Sequence, residues 1–206
     1  MPGVLSGYLH RKRNGLVRSH VRGDVLDIGC GPATIADFLE PSQKYVGVEV
    51  QEGYITYLRS RFPQHTFLRR DVETGPLSLG DSRFDTVLMV ALIEHLAAPE
   101  NVIVAVRRYI KPGGHLVIST PTPLGGAIHR LGASFGLFSR QALADHKRTY
   151  DRRDLAALLL DCGMRMDLHN TFEFGANQLC VSTPVQWNRS PSTQRASMAS
   201  TRGPTQ

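Results

Sequence analysis

The sequence predicts an α/β fold, a doubly wound and mostly parallel sheet whose last strand runs antiparallel. Three observations predict it. First, Val25 to Ala36 is an apolar run ending in Asp27-Ile28-Gly29-Cys30-Gly31 and then residues that can open a helix, which is how a strand feeds a tight turn and a helix in such a sheet. Second, Phe84 to Leu92 is an almost unbroken Val- and Leu-rich run, the pattern of a strand buried on both faces. Third, the stretch between Thr171 and Gln178 is too short for a parallel crossover, which needs roughly a dozen residues. The final two strands must therefore form a hairpin.

Each element follows in order. Leu5 to His20 carries Leu5, Leu9, Leu16 and Val17 among basic residues and predicts a helix lying over the sheet. Asp24 to Ile28 is the first strand and Ala33 to Leu39 the opening of the first crossover helix. Tyr45 to Glu49 is the second strand, and Tyr54 to Phe62 a helix stopped by Pro63. Thr66 leads a third strand that closes at Asp71. Pro99 to Ile110 reads as a helix with Pro99 in its first turn. Lys111-Pro112-Gly113-Gly114 is a sharp turn before the strand His115 to Thr120. A helix over Leu155 to Leu160 ends at Gly163. Met164 to Thr171 and Gln178 to Thr183 are the closing strands.

Composition narrows the class. The 206 residues, 41% hydrophobic and 20% charged, suit one soluble domain, and no apolar run is long enough for a membrane helix. Met1 to Gly23 lacks the apolar stretch of a signal peptide, so a cytoplasmic protein without membrane insertion is expected. Cys30, Cys162 and Cys180 are too few and too scattered for a disulfide framework or a structural zinc site. The net charge of +6 suggests nucleic acid, but Arg11, Lys12, Arg13, Arg18 and Arg22 precede the first acid, and Arg189, Arg195 and Arg202 follow the last. The body between is slightly acidic, which argues against a nucleic-acid partner. The expected organisation is a basic helical segment over 1–22, a folded domain over 23–183 with a lid insertion near 121–145, and a disordered Ser-, Thr- and Arg-rich tail over 184–206.

The glycine turn limits the ligand. A dinucleotide fingerprint would place a third glycine where Thr34 stands, and no Gly-Lys-Ser/Thr loop is present. A nucleoside cofactor without a phosphate chain fits better. Glu49, at the end of the second strand, lies at the separation from Gly29 where an acid can accept from both ribose hydroxyls.

With these motifs in order, the chain resembles the class I S-adenosylmethionine-dependent methyltransferases of the small type 11 group. Val25 to Gly31, Val46 to Glu49, Arg70-Asp71-Val72, Phe84-Asp85 through Glu94-His95-Leu96, and Ile110-Lys-Pro-Gly-Gly114 carry the resemblance, over roughly Gly23 to Thr183. It implies a Rossmann-like, seven-stranded sheet in the order 3-2-1-4-5-7-6, and S-adenosyl-L-methionine as cofactor. It also implies the cofactor-binding residues: Asp27, Gly29, Cys30 and Gly31 at the methionine end, Glu49 at the ribose, Asp71 and Val72 at the adenine, Val50 after Glu49, and Val90 and Ala91 at the cofactor's edge. The similar ubiquinone-type O-methyltransferases bind a divalent metal through Glu-x-x-Glu-His. Here Ala91 replaces the first Glu, so no metal is expected.

Methyl transfer needs alignment first and a base only when the nucleophile must lose a proton. Candidate bases are His95, His129 and His146, with His95 and His146 foremost and Tyr150 beside the latter. Thr120 to Ala144, rich in glycine and aromatic residues, reads as the lid that selects the substrate. No Asn/Asp-Pro-Pro-aromatic motif follows the fourth strand, which argues against base-amine or glutamine methylation. A small molecule or glycan precursor methylated at oxygen is the expected acceptor. A non-catalytic methyltransferase-like subunit and a nicotinamide oxidoreductase are the alternatives; Thr34 and the closing hairpin weigh against the latter.

Overall fold

The computed structural model describes residues 6–32, 35–40, 42–127 and 147–185, with side chains from residue 12 onward. The predicted lid lies largely, and the tail almost wholly, outside the described residues, as do Thr34, His129 and His146.

Seven strands form one sheet: β1 (Val25–Ile28), β2 (Tyr45–Glu49), β3 (Thr66–Arg69), β4 (Phe84–Val90), β5 (Ile110–Pro121), β6 (Met164–Phe172) and β7 (Asn177–Pro184). Their order is β3-β2-β1-β4-β5-β7-β6, as expected. The strands β3, β2, β1, β4 and β5 run parallel, whereas β7 is antiparallel to both β5 and β6. The order reverses between β1 and β4, and the carboxyl ends of these strands open the crevice where ligands of such sheets bind.

The two faces bury separate cores. One packs Val87, Met89, Leu116 and Ile118 beneath helices α3 (Pro99–Arg107) and α4 (Arg152–Asp161). The other packs Val25, Leu88, Val117 and Leu179 beneath α1 (Ser6–Arg18) and α2 (Glu52–Arg61). Alternate residues of β4 thus feed opposite cores, which is why its sequence is apolar throughout. α4 begins where Asp151 accepts from the Arg153 and Asp154 N–H groups and Asp154 bonds back to the Asp151 N–H, a capping box.

The direction of α1 matters for the site. Val17 is fully buried against the sheet. Just after the helix, His115 Nε2 donates to the His20 carbonyl at 2.7 Å, and Arg22 exchanges two bonds with the Thr86 hydroxyl. Thr86 is the third residue of β4 and pairs with His115 in mid-β5. The end of α1 is thus fixed towards the amino edge, while Arg13, earlier in the helix, is within electrostatic reach of Glu94 after β4, so α1 runs opposite to β1.

Two expectations need correction. Of the crossover helix expected over Ala33 to Leu39, the described residues form a single 3-10 turn at Ile35–Phe38, with Ile35 and Ala36 buried against the sheet. The stretch from Ile35 to Tyr45 is too short for a helix of several turns and its connections. The sharp turn expected at Lys111–Gly114 is part of β5. Ile110 pairs with Phe84, the register then shifts, and Gly113 absorbs the irregularity at a φ of +77°. Lys111 pins this bulge by donating to Asp24 at 2.9 Å and Asp85 at 2.7 Å. Among the described residues no helix is long and apolar enough to cross a membrane.

Gly47, in mid-β2, creates space that the site uses. A Cβ there would stand 2.9 Å from both Cys30 Sγ and the Phe67 ring. Alanine in a strand is ordinarily favoured over glycine by about 0.5–1 kcal/mol. Here the clash with two buried side chains reverses the sign, and Gly47→Ala is expected to destabilise the fold by about 1–2 kcal/mol. Urea unfolding measures this; a stabilised variant would show that Cys30 and Phe67 can move aside freely.

Candidate active site at the carboxyl edge of the sheet

The chain leaves β1 through a turn only glycine makes comfortably. Gly29 and Gly31 both have positive φ, +69° and +53°. The Gly29 and Cys30 N–H groups donate to the Val48 carbonyl at 2.8 and 3.1 Å, which fastens the turn to β2. A Cβ at Gly29 would stand 2.8 Å from Leu92 Cδ1, so the loop after β4 lies against this turn. A Cβ at Gly31 would meet none of the described residues within 4 Å. Among the described residues, one side of the turn is packed and the other is open.

Glu49 closes the turn from β2. Its Oε2 accepts from the Gly31 N–H at 3.0 Å, and its Oε1 accepts from the Val50 and Gln51 N–H groups at 2.9 and 3.0 Å. Charge-assisted bonds of this kind contribute about 1.5–3 kcal/mol each. The carboxylate is buried and fixed, with three of its roughly four acceptor sites taken and the remaining one on Oε2. Asp27 stands at the same edge, buried, accepting from the Tyr45 hydroxyl at 2.8 Å. Burial, with the nearby charge of Glu49, pushes its pKa up to about 7, against the bond from Tyr45. The Cys30 thiol is also pushed up, chiefly by burial, and its sulfur faces Gly47. It fills space and is not a poised thiolate.

Val50 is half exposed beside Glu49. Asp71 lies two residues past the end of β3, exposed, with Oδ1 accepting from the Glu73 N–H at 2.9 Å. Part of its capacity thus caps a turn. Val72 is partly buried against the core, and Val90 ends β4, paired with Ser119. Ala91 follows with a φ of +50°, rare for a residue with a Cβ, and its N–H donates to the Ser119 carbonyl at 2.7 Å. This turn directs Leu92 back over Gly29.

Beyond β4 the site becomes polar and buried. His95 sits in a single 3-10 turn at Ile93–His95. The most enclosed group there is its neighbour Glu94, 1% exposed, whose Oε2 accepts from the Thr120 hydroxyl at 2.9 Å. Burial raises the Glu94 pKa, opposed by hydrogen bonds and by the charges of His95 and Arg13. The Glu94 carbonyl accepts from the Lys147 N–H at 2.8 Å, placing the segment after His146 against this turn. Sequence reasoning singled out His95 and passed over Glu94 and Arg13. The available signal was a polar Ser119-Thr120 pair closing an apolar strand, which marks where a buried acid could find a donor.

The open face of Gly31, the buried acid at Glu49, and Asp27 at the strand's end together fit a nucleoside bearing an amino-acid tail. The glycine leaves the space, Glu49 is a fixed acceptor suited to hydroxyls, and Asp27 is a second buried carboxyl at the same edge. Among the described residues no group of three His, Cys, Asp or Glu side chains could hold a metal ion.

The family described as Methyltransferase domain matches residues 6–169. The chain belongs to this methyltransferase-domain family. Among its relatives, a protein of Mycolicibacterium smegmatis named as a probable S-adenosylmethionine-dependent methyltransferase is 31% identical over 102 residues, 48% of this chain and 38% of that protein. The ubiquinone biosynthesis O-methyltransferase of Roseobacter denitrificans is 33% identical over 99 residues, 47% of this chain and 40% of that protein. The chain thus spans less than half the length of these relatives. A solved glycopeptide N-methyltransferase, MtfA, complexed with S-adenosyl-L-methionine superimposes with a TM-score of 0.65 at 16% identity, covering 86% of this chain and 87% of that one. That likeness is one of fold.

In this methyltransferase domain Asp27 makes stability depend on pH. The folded state holds the Asp27 proton to about pH 7, the unfolded chain only to its usual value of 3.8. Between these values the folded state binds the extra proton, so this stabilising contribution is complete below about pH 4 and is lost as pH rises towards 7, by up to ~1.4 kcal/mol per unit. Asp27→Asn lacks the titration. Its stability relative to the native protein is expected to improve from pH 5 to pH 7.5 in denaturant melts. A difference independent of pH would refute the assignment.

Proposed function

We propose that this protein binds S-adenosylmethionine across the carboxyl ends of β1 and β2 and transfers its methyl group to an oxygen of a small molecule or glycan precursor. The observation that carries the reading is Glu49: a buried carboxylate at the end of β2, hydrogen-bonded to Gly31 across a glycine turn whose far side is open. The cofactor, once bound, would supply a methyl group activated on a sulfonium.

The residues divide the work. Asp27 and the Gly29-Cys30-Gly31 turn receive the methionine end, Glu49 the ribose hydroxyls, and Val50, Asp71 and Val72 the adenine, with Val90 at the edge facing the acceptor. Holding donor and acceptor in line can contribute ~7–11 kcal/mol, whereas a positioned base adds roughly 10²–10⁴-fold. His95 and His146 are the proposed bases, and Glu94, beside His95, is the buried acid that shapes the surroundings of His95. Oxygen as acceptor is supported by the O-methyltransferase relative and by the segment Ala91-Leu92-Ile93-Glu94, which lacks the motif suited to planar amines.

The direct test is transfer from labelled S-adenosylmethionine into a metabolite extract, with mass analysis of what gains a methyl group. Product bearing an O-methyl is expected; a protein that binds the cofactor yet methylates nothing would favour a non-catalytic subunit. Glu49→Ala is expected to weaken cofactor binding tenfold or more by calorimetry, since it removes the ribose acceptor and loosens the turn. Unchanged affinity would sink the ribose assignment.

A further inference from the structure

α1 brings a cation to the other end of the cleft. His20, after the helix, is fixed level with Thr86 and His115. Seven residues earlier, about 10 Å up the helix axis, comes Arg13. About three strand residues cover the same distance, which brings Arg13 to roughly the level of Met89 and Ile118, within about one strand residue of Val90 and Ser119 at the carboxyl edge. It lies one turn from the buried Val17 and on the same helix face. Ser119, alternating with Val117, projects from β5 to this face of the sheet, where Val117 packs with Val17.

Both residues have buried polar atoms without hydrogen-bond partners among the described residues, Arg13 Nε and Ser119 Oγ. The carboxylates whose charge reaches Arg13 are Glu94, after β4, and Glu173, in the β6–β7 turn. Among the described residues neither forms an ion pair with it, and one Glu173 oxygen is itself buried without a partner. Buried orphan donors of this kind mark a place where something else completes the bonding. Their position is past β4, away from the Asp27 and Glu49 end.

We propose that Arg13 and Ser119 form an anion subsite at the acceptor end of the cleft, and that the methyl acceptor carries a carboxylate held there. This rests on the methyl-transfer reading above. The planar fork of a guanidinium matches a carboxylate, and the serine hydroxyl offers a further donor. A single negative charge suits the place: Glu94 and Glu173 would repel the doubly charged phosphate of a nucleotide or sugar phosphate.

Calorimetric titration with benzoate and with its neutral counterpart benzamide tests the subsite, with and without S-adenosylhomocysteine. Benzoate is expected to bind at least tenfold more tightly than benzamide. Arg13→Gln should abolish that preference, Ser119→Ala should reduce it, and Arg13→Lys should retain part of it. Affinity for S-adenosylhomocysteine should stay within twofold in all three. No preference for benzoate, or a preference that survives Arg13→Gln, overturns the subsite. So does a tenfold loss of S-adenosylhomocysteine affinity in Arg13→Gln, which would assign the guanidinium to the cofactor's own carboxylate. Failure of the unaltered protein to bind S-adenosylhomocysteine would refute the methyl-transfer reading separately, because the benzoate titration without it still reports on Arg13.

Discussion

Three backbone N–H groups converge on the Glu49 carboxylate, and the site depends on that convergence. The Gly31 N–H comes from the turn after β1, and those of Val50 and Gln51 from the chain leaving β2. One side chain thus fixes the relative position of two strand ends. Glycine at 31 suits the turn's positive φ, and a Cβ there would project into space that none of the described residues fills. The acid that holds the turn is also the acid that the proposed cofactor would meet. Loop geometry and ligand recognition are therefore one constraint, and a change at Glu49 disturbs both.

The same edge concentrates groups that folding alone would not choose. Asp27 and Glu94 are buried carboxyls whose protons are held more tightly because water is excluded. Ala91 adopts a backbone conformation that favours glycine, at a cost of order 1 kcal/mol or more. The remainder of the sheet supplies the compensation. β4 and β5 are buried along nearly their whole parallel run, and the two helical layers cover both faces with aliphatic side chains. A rigid, apolar sheet body tolerates a polar and strained rim, and the rim is where chemistry takes place.

Much of this was legible in the sequence because its signals are local. A glycine turn after an apolar strand, an acid closing the next strand and a strand apolar on both faces each state their geometry within a few residues. The hairpin was legible from loop length alone. What escaped depends on contacts distant in sequence. Lys111-Pro112-Gly113-Gly114 reads locally as a turn, yet it extends β5 because Ile110 meets Phe84 and Lys111 meets Asp24 and Asp85. At Ile35 the helix signal was real but too short-lived, with Pro41 close behind. Glu94 looked subordinate to His95 because burial by Thr120 and by the chain near Lys147 is not written near it. Arg13 read as one charge in a solvated basic run, and only the descent of α1 across the sheet brings it near the level of Ser119.

The loops after β1 and β4 are also coupled to each other. Leu92 occupies the space that a side chain at position 29 would need. It reaches that space because Ala91 turns the chain at the end of β4 while its N–H stays bonded to Ser119. The strained residue is thus the hinge by which the loop after β4 supports the turn after β1. Glycine at 91 would relieve the strain and also free the hinge, leaving Leu92 less firmly held against the turn. Alanine keeps the backbone restricted and the two loops in contact. On the proposed reading, the strain at this position holds the two loops in the fixed register that methyl transfer between them would need.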